Sequence, residues 1–522
     1  MAMKNITIRS STMVPPISET PKMVVWLANV DLLVRATYGA CVYFYRPTGA
    51  PDFFDGDIVR AAIGKALVPF FPNGGRLMRQ EDGRIAIKCE GQGVLFVEAD
   101  SDACIDDFGD FAGQPSMQEI VPKVTRFKCG GVAFGVKTHH YVTDGVSGTQ
   151  FNNTISEFAR GASVTVTPWV DRSLLRARNP PTPKFPHVEY LPAPALLLKN
   201  GLAPGQGNNG HVDYVYGNLK AQSNGQENEH GANANDNGIS NDGARVLQSN
   251  EAELPPSKTN PDGTGFSPSV VIKRSNGTNF TAPEINSTGM RDGTVHAASD
   301  EGPVPPVEVA VVGLSKEELA ILKNRVLNKE NGIPYSTYET LSGHIWKCMT
   351  KARGLDGPQP TKLYIATDGR ARLVPPLPKD YFGNVLFTAT PMSTAGEIVH
   401  RPTSYAAGQI HNAVARMDDE YLRSAIDYLE MHPDVAKVAR GASLCGAPNL
   451  SITSWARLPL YDCDFGWGRP IFVGPACIPY DGVVYVLPGP VNFGSLTLSL
   501  GLRADYMQKF RELILNVEDA DQ

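Results

Sequence analysis

Two adjacent histidines and an aspartate lie in the run from Thr138 to Gly145, which reads Thr-His-His-Tyr-Val-Thr-Asp-Gly. Histidine is the side chain whose ordinary pKa suits proton transfer near neutral pH. Because successive side chains of a strand face opposite ways, only one of His139 and His140 is expected to be reactive. Asp144 follows His140 by four residues and is near enough to orient it or to brace the loop.

The elements around these residues place them between a buried strand and a helix. Residues 129–136 form an uncharged apolar run, which is typical of a buried strand. From Val146 to Arg160 the apolar residues recur at helical spacing. Active-site residues are often found in loops that are positioned by rigid elements such as this strand and helix. These residues alone leave two interpretations open: a general base, or a buried histidine with an aspartate that caps the next helix.

A second marked stretch, Asp464-Phe465-Gly466-Trp467-Gly468, lies near the end of the chain. Two glycines around a tryptophan favour a tight loop over a regular element. The loop is either a structural brace near a channel or an ordinary aromatic turn, and its residues do not decide between these.

Length, charge and cysteine usage narrow the class of protein. A chain of 522 residues predicts two domains or more. The net charge of −6, with lysine and arginine spread along the chain, argues against a nucleic-acid partner. No apolar stretch is long enough to span a membrane, and the first residues lack a signal-type core. Eight cysteines without a Cys-x-x-Cys pair predict a reduced, cytoplasmic enzyme, and no metal site or nucleotide cofactor is predicted.

The composition divides the chain into three parts. Residues 1–193 and 307–522 have the mixed strand and helix patterns of two α/β domains. Residues 194–306 are rich in Asn, Gly, Ser and Pro, so they are predicted to be a disordered insertion that joins the domains. The insertion is either a regulatory or docking segment or an inert linker.

Local signals fix several element ends. Glu81-Asp82-Gly83 between two short strand patterns predicts a hairpin. Ser315 with Glu318, and Ser336 with Glu339, have the spacing of capping boxes and predict that helices begin there.

Taken together, the two marked stretches resemble the paired signatures of the plant BAHD acyltransferases, His-x-x-x-Asp and Asp-Phe-Gly-Trp-Gly. The resemblance extends over nearly all of the chain outside the insertion. Within the family, the runs are most similar to the hydroxycinnamoyl-CoA:shikimate or quinate hydroxycinnamoyltransferases. The matching runs are Tyr43 to Pro47, Ile105 to Phe111, Phe127 to Gly131, Tyr381 to Asn384 and Ile452 to Trp455.

The resemblance implies a chloramphenicol-acetyltransferase-like α/β fold: two similar domains of mixed β-sheet with flanking helices and an active-site channel between them. It implies a monomeric enzyme of phenylpropanoid metabolism with no bound cofactor, which takes acyl-CoA as a co-substrate. A p-coumaroyl or caffeoyl group would pass from CoA directly to a hydroxyl of shikimate, or alternatively of quinate or another small hydroxy acid. His140 would act as the general base in a ternary complex.

Further roles follow from the resemblance alone. Trp455 would donate to the oxyanion, and Tyr43 would line the acyl pocket. Asp144 would be structural and would pair with Arg370 or Arg372. The loop residues Asp464, Gly466 and Trp467 would be structural as well.

The acceptor site implied by the resemblance contains Arg440, which precedes Thr453 by thirteen residues. A guanidinium binds a carboxylate such as that of shikimate in bidentate fashion, and Thr453 would bind a ring hydroxyl. Without the resemblance, Arg440 would be interpreted as a solvated charge at a helix end.

Two departures from the family pattern bear on activity. Gly39-Ala40-Cys41-Val42-Tyr43 replaces a run with two more hydroxyls, Thr-Pro-Ser-Val-Tyr. Relatives have more chain near Ile120 to Thr125, so the strand before His140 is expected either to be shortened or to be rebuilt from residues 124–136. A shortened strand would favour a weak or silent variant that serves as a binding partner. The His-His-x-x-x-Asp-Gly form also resembles condensation domains of peptide synthetases.

Overall fold

The structure is a computed structural model. It describes residues 5–34, 36–111, 115–164, 166–192, 194, 306–326, 334–432, 435–438, 445–489 and 494–517. The predicted insertion, apart from its two end residues, and Arg440 lie outside the described residues. The predicted division at 193 and 307 therefore stays a prediction.

Helices and strands alternate irregularly along the described chain. The helices are α1 (Asn29–Leu33), α2 (Gly56–Ala66), α3 (Gly145–Ala159), α4 (Lys316–Val326), α5 (Thr337–Arg353), α6 (Ala395–His400), α7 (Thr403–Ala415), α8 (Asp419–Glu430), α9 (Val435–Val438) and α10 (Ala504–Leu515). The strands of the earlier part are β1 (Ile6–Val14), β2 (Met23–Trp26), β3 (Tyr38–Tyr45), β4 (Arg76–Arg79), β5 (Ile85–Cys89), β6 (Val94–Ser101), β7 (Val124–Phe127) and β8 (Val132–His139). The later strands are β9 (Val307–Leu314), β10 (Pro360–Asp368), β11 (Leu386–Ala389), β12 (Met392–Thr394), β13 (Leu450–Ser454), β14 (Phe472–Pro475), β15 (Val483–Pro488) and β16 (Leu496–Arg503).

These strands form two large mixed sheets and one small one. The first sheet has the order β1-β6-β7-β8-β3-β14, with β6 and β7 parallel. The second has the order β11-β10-β13-β15-β16-β9, with β12 beside β10 and with β13 parallel to both of its neighbours. The small antiparallel sheet is β2-β5-β4. The hairpin predicted at Glu81-Asp82-Gly83 is the β4–β5 connection.

Each large sheet is covered by amphipathic helices. One apolar core joins β3 and β8 to α2 and α3, and another joins the second sheet to α5, α7, α8 and α10. The capping boxes at Ser315 and Ser336 begin α4 and α5, as predicted. The predicted fold class, α/β with two mixed sheets and flanking helices, is confirmed.

Chain segments cross between the earlier half of the described chain, residues up to 194, and the later half, residues from 306 onward. Strand β14 comes from the later half but pairs with β3 in the first sheet. Helix α1 comes from the earlier half, and its Val30 and Leu33 belong to the core of the second sheet. Neither crossing has a local sequence signal, because both are decided by which core accepts the apolar residues.

The strand before His140 is paired along its whole length. Strand β8 has eight residues, and every one of them is in register with a residue of β3, from Val132 with Tyr45 to His139 with Tyr38. On its other edge β8 pairs with β7 in antiparallel fashion. The structure does not rebuild one strand from residues 124–136: residues 124–127 form β7, and β8 begins at Val132. Because all of β8 is paired with β3, no gap in the sheet precedes His140.

Candidate active site

His140 lies one residue beyond the end of β8, where the sheet gives way to the loop before α3. Its side chain is half-buried. The main-chain N–H of His140 donates to the carbonyl of Thr37 at 2.9 Å, so the loop stays attached to the chain before β3. The imidazole is thus attached to the end of an interior strand by a short, anchored segment.

His139 is the packed member of the histidine pair. Its ring meets the ring of Tyr38 edge-on at 5.2 Å and that of Tyr141 at 4.9 Å. Its Nδ1 accepts a hydrogen bond from the N–H of Tyr141 at 3.2 Å. Burial, together with the neighbouring His140, lowers the pKa of His139. These contacts hold the ring of His139 between two tyrosine rings and leave it half-buried. That only one histidine of the pair is reactive stays a prediction.

Asp144 is buried and bound on every side. It caps α3 by accepting from the N–H of Ser147 at 3.0 Å, and its side chain is 0% exposed. Arg370 grips the carboxylate with two hydrogen bonds, 2.8 Å from Nη1 to Oδ2 and 3.1 Å from Nη2 to Oδ1. A bidentate pair of this kind fixes both groups in one geometry. The N–H of Val385 adds a bond of 3.2 Å to Oδ2.

The charge of Asp144 is held by its partners. Burial raises the pKa of the carboxyl, but the Arg370 guanidinium and the two main-chain donors outweigh burial and bring the pKa below its ordinary value. A carboxylate that keeps its negative charge and has no exposed surface is unsuited to proton transfer. Arg372, the other predicted partner, instead donates to the carbonyls of Val414 and Met417, each at 3.0 Å.

The run Gly383–Asn384–Val385 is a part of the site whose role the sequence did not indicate. Ser147 Oγ both donates to the Gly383 carbonyl and accepts from its N–H, each at 3.0 Å. Gly383 has a φ of +155°, and a Cβ on it would lie 3.0 Å from Nε of Arg172. Glycine is therefore needed here on both steric and conformational grounds. The only signal for this run in the sequence was the resemblance of Tyr381 to Asn384.

Trp455 and Thr453 lie at the end of β13 in the second sheet. Thr453 is half-buried and is in register with Tyr485 of β15. The main-chain N–H of Trp455 donates to the Val486 carbonyl at 2.8 Å. A Cβ on Gly145 would lie 3.9 Å from the indole nitrogen of Trp455. The indole N–H therefore lies near Gly145, the first residue of α3.

Tyr43, which was predicted to line the acyl pocket, is a buried residue. It is only 1% exposed, in the core between the first sheet and α3, and its hydroxyl accepts from Asn152 Nδ2 at 3.1 Å. The ring and hydroxyl of Tyr43 join β3 to α3, and its role in the acyl pocket stays a prediction.

The loop from Asp464 to Gly468 is held by bonds between its own residues and by bonds to the earlier half of the chain. Asp464 Oδ1 accepts from the N–H of Gly466 at 2.8 Å and of Gly468 at 3.0 Å. Arg160, at the end of α3, donates to the Asp464 carbonyl. The indole of Trp467 donates to Asp52 Oδ1 at 3.1 Å. The loop thus fastens the later half of the chain to the earlier one.

A model described as the Transferase family matches residues 4–196 and 304–515 of the chain. The chain belongs to the BAHD acyltransferase family. A shikimate O-hydroxycinnamoyltransferase from Nicotiana tabacum is 42% identical to it, over 98% of this chain and 99% of that protein. A hydroxycinnamoyl-CoA:5-hydroxyanthranilate N-hydroxycinnamoyltransferase from Avena sativa is 39% identical, over 98% of this chain and 100% of that protein.

The BAHD fold is also found in solved structures. Vinorine synthase superposes with a TM-score of 0.59 at 17% identity, over 99% of this chain and 100% of that chain. At that identity the likeness concerns the fold alone.

Two observations bear on other kinds of site in this BAHD protein. Within the residues that the structure describes, no helix is both long enough and apolar enough to cross a membrane. The same residues contain no group of three or more His, Cys, Asp or Glu side chains placed to hold a metal ion.

Proposed function

We propose that this chain transfers a hydroxycinnamoyl group from a CoA thioester to a hydroxyl of shikimate, with His140 as the general base. The observation that carries the proposal is the bidentate pair between Asp144 and Arg370. It occupies the carboxylate completely, so the half-buried imidazole at the end of β8 is the group of the motif left for proton transfer. An imidazole is suited to that task near neutral pH.

The reaction then proceeds in a ternary complex. His140 takes the proton of the acceptor hydroxyl as its oxygen attacks the thioester carbonyl, a step that contributes about 10²–10⁴-fold. A C–O bond forms, and the tetrahedral oxyanion receives a hydrogen bond from the indole N–H of Trp455. The C–S bond breaks, and the CoA sulfur takes the proton back from His140. No acyl group is attached to the protein at any stage.

The acceptor is proposed to be bound by Arg440 through its carboxylate and by Thr453 through a ring hydroxyl. Shikimate is favoured by the 42% identity to the tobacco enzyme. An amine acceptor is the second candidate, because the oat relative, whose name specifies an N-acyl product, is 39% identical. Quinate or another small hydroxy acid would use the same residues.

The test is release of free CoA thiol from p-coumaroyl-CoA and caffeoyl-CoA with shikimate, quinate or 5-hydroxyanthranilate as the acceptor. Wild type is expected to turn over fastest with shikimate. His140→Ala is expected to lose transfer while keeping its fold, whereas His139→Ala, which alters the packed neighbour, loses far less. Equal losses in the two variants would contradict the assignment of the base. No thiol release with any acceptor would indicate a silent member of the family.

Arg440 separates the acceptor classes. Arg440→Ala is expected to lower kcat/KM for shikimate by about tenfold or more, because a charge-assisted bidentate pair is lost. Arg440→Lys restores only part, since an ammonium lacks the planar fork. An acceptor without a carboxylate is the matched control and should be unaffected. An equal fall for both acceptors would show that Arg440 supports the fold instead.

A further inference from the structure

We infer that Asn384, Asp31 and Arg172 form a positioning network for His140, by holding the three consecutive main-chain carbonyls of His140, Tyr141 and Val142. The inference rests on the proposed function, in which His140 is the base. None of the three network residues is assigned contact with a substrate.

Asn384 binds the near end of the loop. Its Nδ2 donates to the carbonyl of His140 at 2.8 Å and to Oδ1 of Asp31 at 3.1 Å. Its main-chain N–H donates to the same Asp31 oxygen at 2.8 Å. Asn384 is 0% exposed, so no water competes for these donors from outside. The two bonds to one carboxylate oxygen fix both the main chain and the carboxamide of Asn384, and the carboxamide in turn fixes the peptide that follows His140.

Arg172 binds the next two peptides. Its Nη1 donates to the Tyr141 carbonyl at 3.2 Å, and its Nη2 donates to the Val142 carbonyl at 2.8 Å. The same Nη1 lies 2.8 Å from Oδ1 of Asp31. A guanidinium presents its donors in a rigid plane, so two neighbouring carbonyls held by it cannot rotate independently.

Asp31 is the common anchor. Its Oδ1 pairs with the Arg172 guanidinium and accepts from the main-chain N–H and the Nδ2 of Asn384. Its Oδ2 accepts from the N–H of Ala28 at 2.8 Å. The side chains of Asp31 and Arg172 are both 0% exposed. Removing one partner of such a buried ion pair is strongly destabilising, because the other charge is left without compensation. Asp31 is therefore fixed in one position, and it fixes Asn384 and Arg172, which bind the carbonyls of the loop.

The placement of these bonds is what makes them relevant to the base. Main-chain groups that leave a sheet need other partners, and here the carbonyls just beyond β8 obtain them from side chains. The N–H of His140 is bound by Thr37 on one side, and its C=O is bound by Asn384 on the other. Gly383 and Val385, which flank Asn384, bind the other end of the same loop: Gly383 binds Ser147, and Val385 binds Asp144. One three-residue run thus fixes both ends of the segment that carries the base.

The first test compares Asn384→Ala with Ser424→Ala. Ser424 is also 0% exposed and also holds main chain, since it accepts from the N–H groups of Lys184 and Phe185, but it has no bond to the His140 loop. We expect Asn384→Ala to lower kcat by about 10–100-fold, because small misplacements of a catalytic group are that costly. In Asn384→Ala, KM for acyl-CoA should change less than about twofold. Ser424→Ala should lower Tm by as much as Asn384→Ala does, but its kcat should stay that of wild type.

The second test does not depend on turnover. The ring signal of His140, identified in histidine-labelled protein as the signal that His140→Ala removes, is titrated with pH. Asn384→Ala should shift this signal and its midpoint, and Ser424→Ala should leave both unchanged. Asn384→Ser, which keeps a shorter donor, should lie between wild type and alanine and serves where alanine does not fold. An unchanged His140 signal in folded Asn384 variants would overturn the inference, whereas absent turnover in wild type would count against the proposed function alone.

Discussion

The two marked loops of this chain each contain a structural aspartate, but they hold it in opposite ways. Asp144 is buried, and its bidentate partner Arg370 lies 226 residues further along the chain. Asp464 is half-exposed, and its side chain binds the N–H groups of Gly466 and Gly468 in its own loop. The first loop depends on a charge from the turn after β10, whereas the carboxylate of the second is bound by peptide groups of its own loop.

This difference matters because the loops have different tasks. The His140 loop carries a side chain proposed to move protons, so its position must be fixed relative to both halves of the chain. The Asp464 loop joins the halves through Arg160, Asp52 and the aromatic rings around Trp467. A loop that only joins two surfaces tolerates small displacements, and bonds within its own main chain are sufficient for it.

The largest effect is expected for Asp144→Ala. The substitution leaves the Arg370 guanidinium buried with only the exposed carboxylate of Asp368 beside it, 3.1 Å from Nη1. Because that partner compensates part of the charge, the cost should lie near the lower end of the range for a broken buried pair, about 3 kcal/mol of unfolding free energy. Urea unfolding of wild type and variant gives the difference, with Asp464→Ala as the matched control at about 1 kcal/mol. If the two alanine variants lost similar stability, the proposed contrast would be wrong: the buried ion pair of Asp144 would stabilise the fold no more than the hydrogen bonds that Asp464 makes within its own loop.

The sequence anticipated what is local and missed what is distant. The helix starts at Ser315 and Ser336 and the hairpin at Glu81-Asp82-Gly83 were predicted because three or four neighbouring residues determine them. For Asp144 the spacing alone left open whether it orients His140, braces the loop or caps the next helix. Only the family resemblance reduced its partner to two arginines, and the structure pairs it with Arg370.

The missed residues share one property, which is that their partners are far away in sequence. Asp31 bonds to Asn384 across 353 residues, and Asn384 bonds to His140 across 244. No periodicity or spacing reports such a contact. The burial of Tyr43 was not anticipated for the related reason that a motif run does not show which alternate side chains of a strand face the core.

An acid titration sharpens the comparison further. The pKa of Asp144 is lower in the folded chain than the ordinary value of about 3.9 in the unfolded one. The unfolded state thus binds more protons in acid, and the stabilisation from Asp144 is complete above about pH 4 and is lost as the pH falls through the folded pKa. The stability gap between wild type and Asp144→Asn should therefore narrow below about pH 4, because a protonated aspartate resembles asparagine. A gap that stays constant from pH 6 to pH 3 would mean that the charge of Asp144 does not stabilise the fold.

The smallest effect is expected for Asp464→Asn. The amide oxygen of asparagine can accept from the N–H groups of Gly466 and Gly468 as the carboxylate does, so only the charge is lost. Because the group is half-exposed, water screens that charge, and the cost should stay below about 0.5 kcal/mol. Asp464→Ala removes the acceptor as well and should cost about 1 kcal/mol. Urea unfolding of both variants at neutral pH distinguishes the two contributions. If asparagine were as costly as alanine, the charge of Asp464 would matter more than its acceptor oxygen, and this loop too would be held electrostatically.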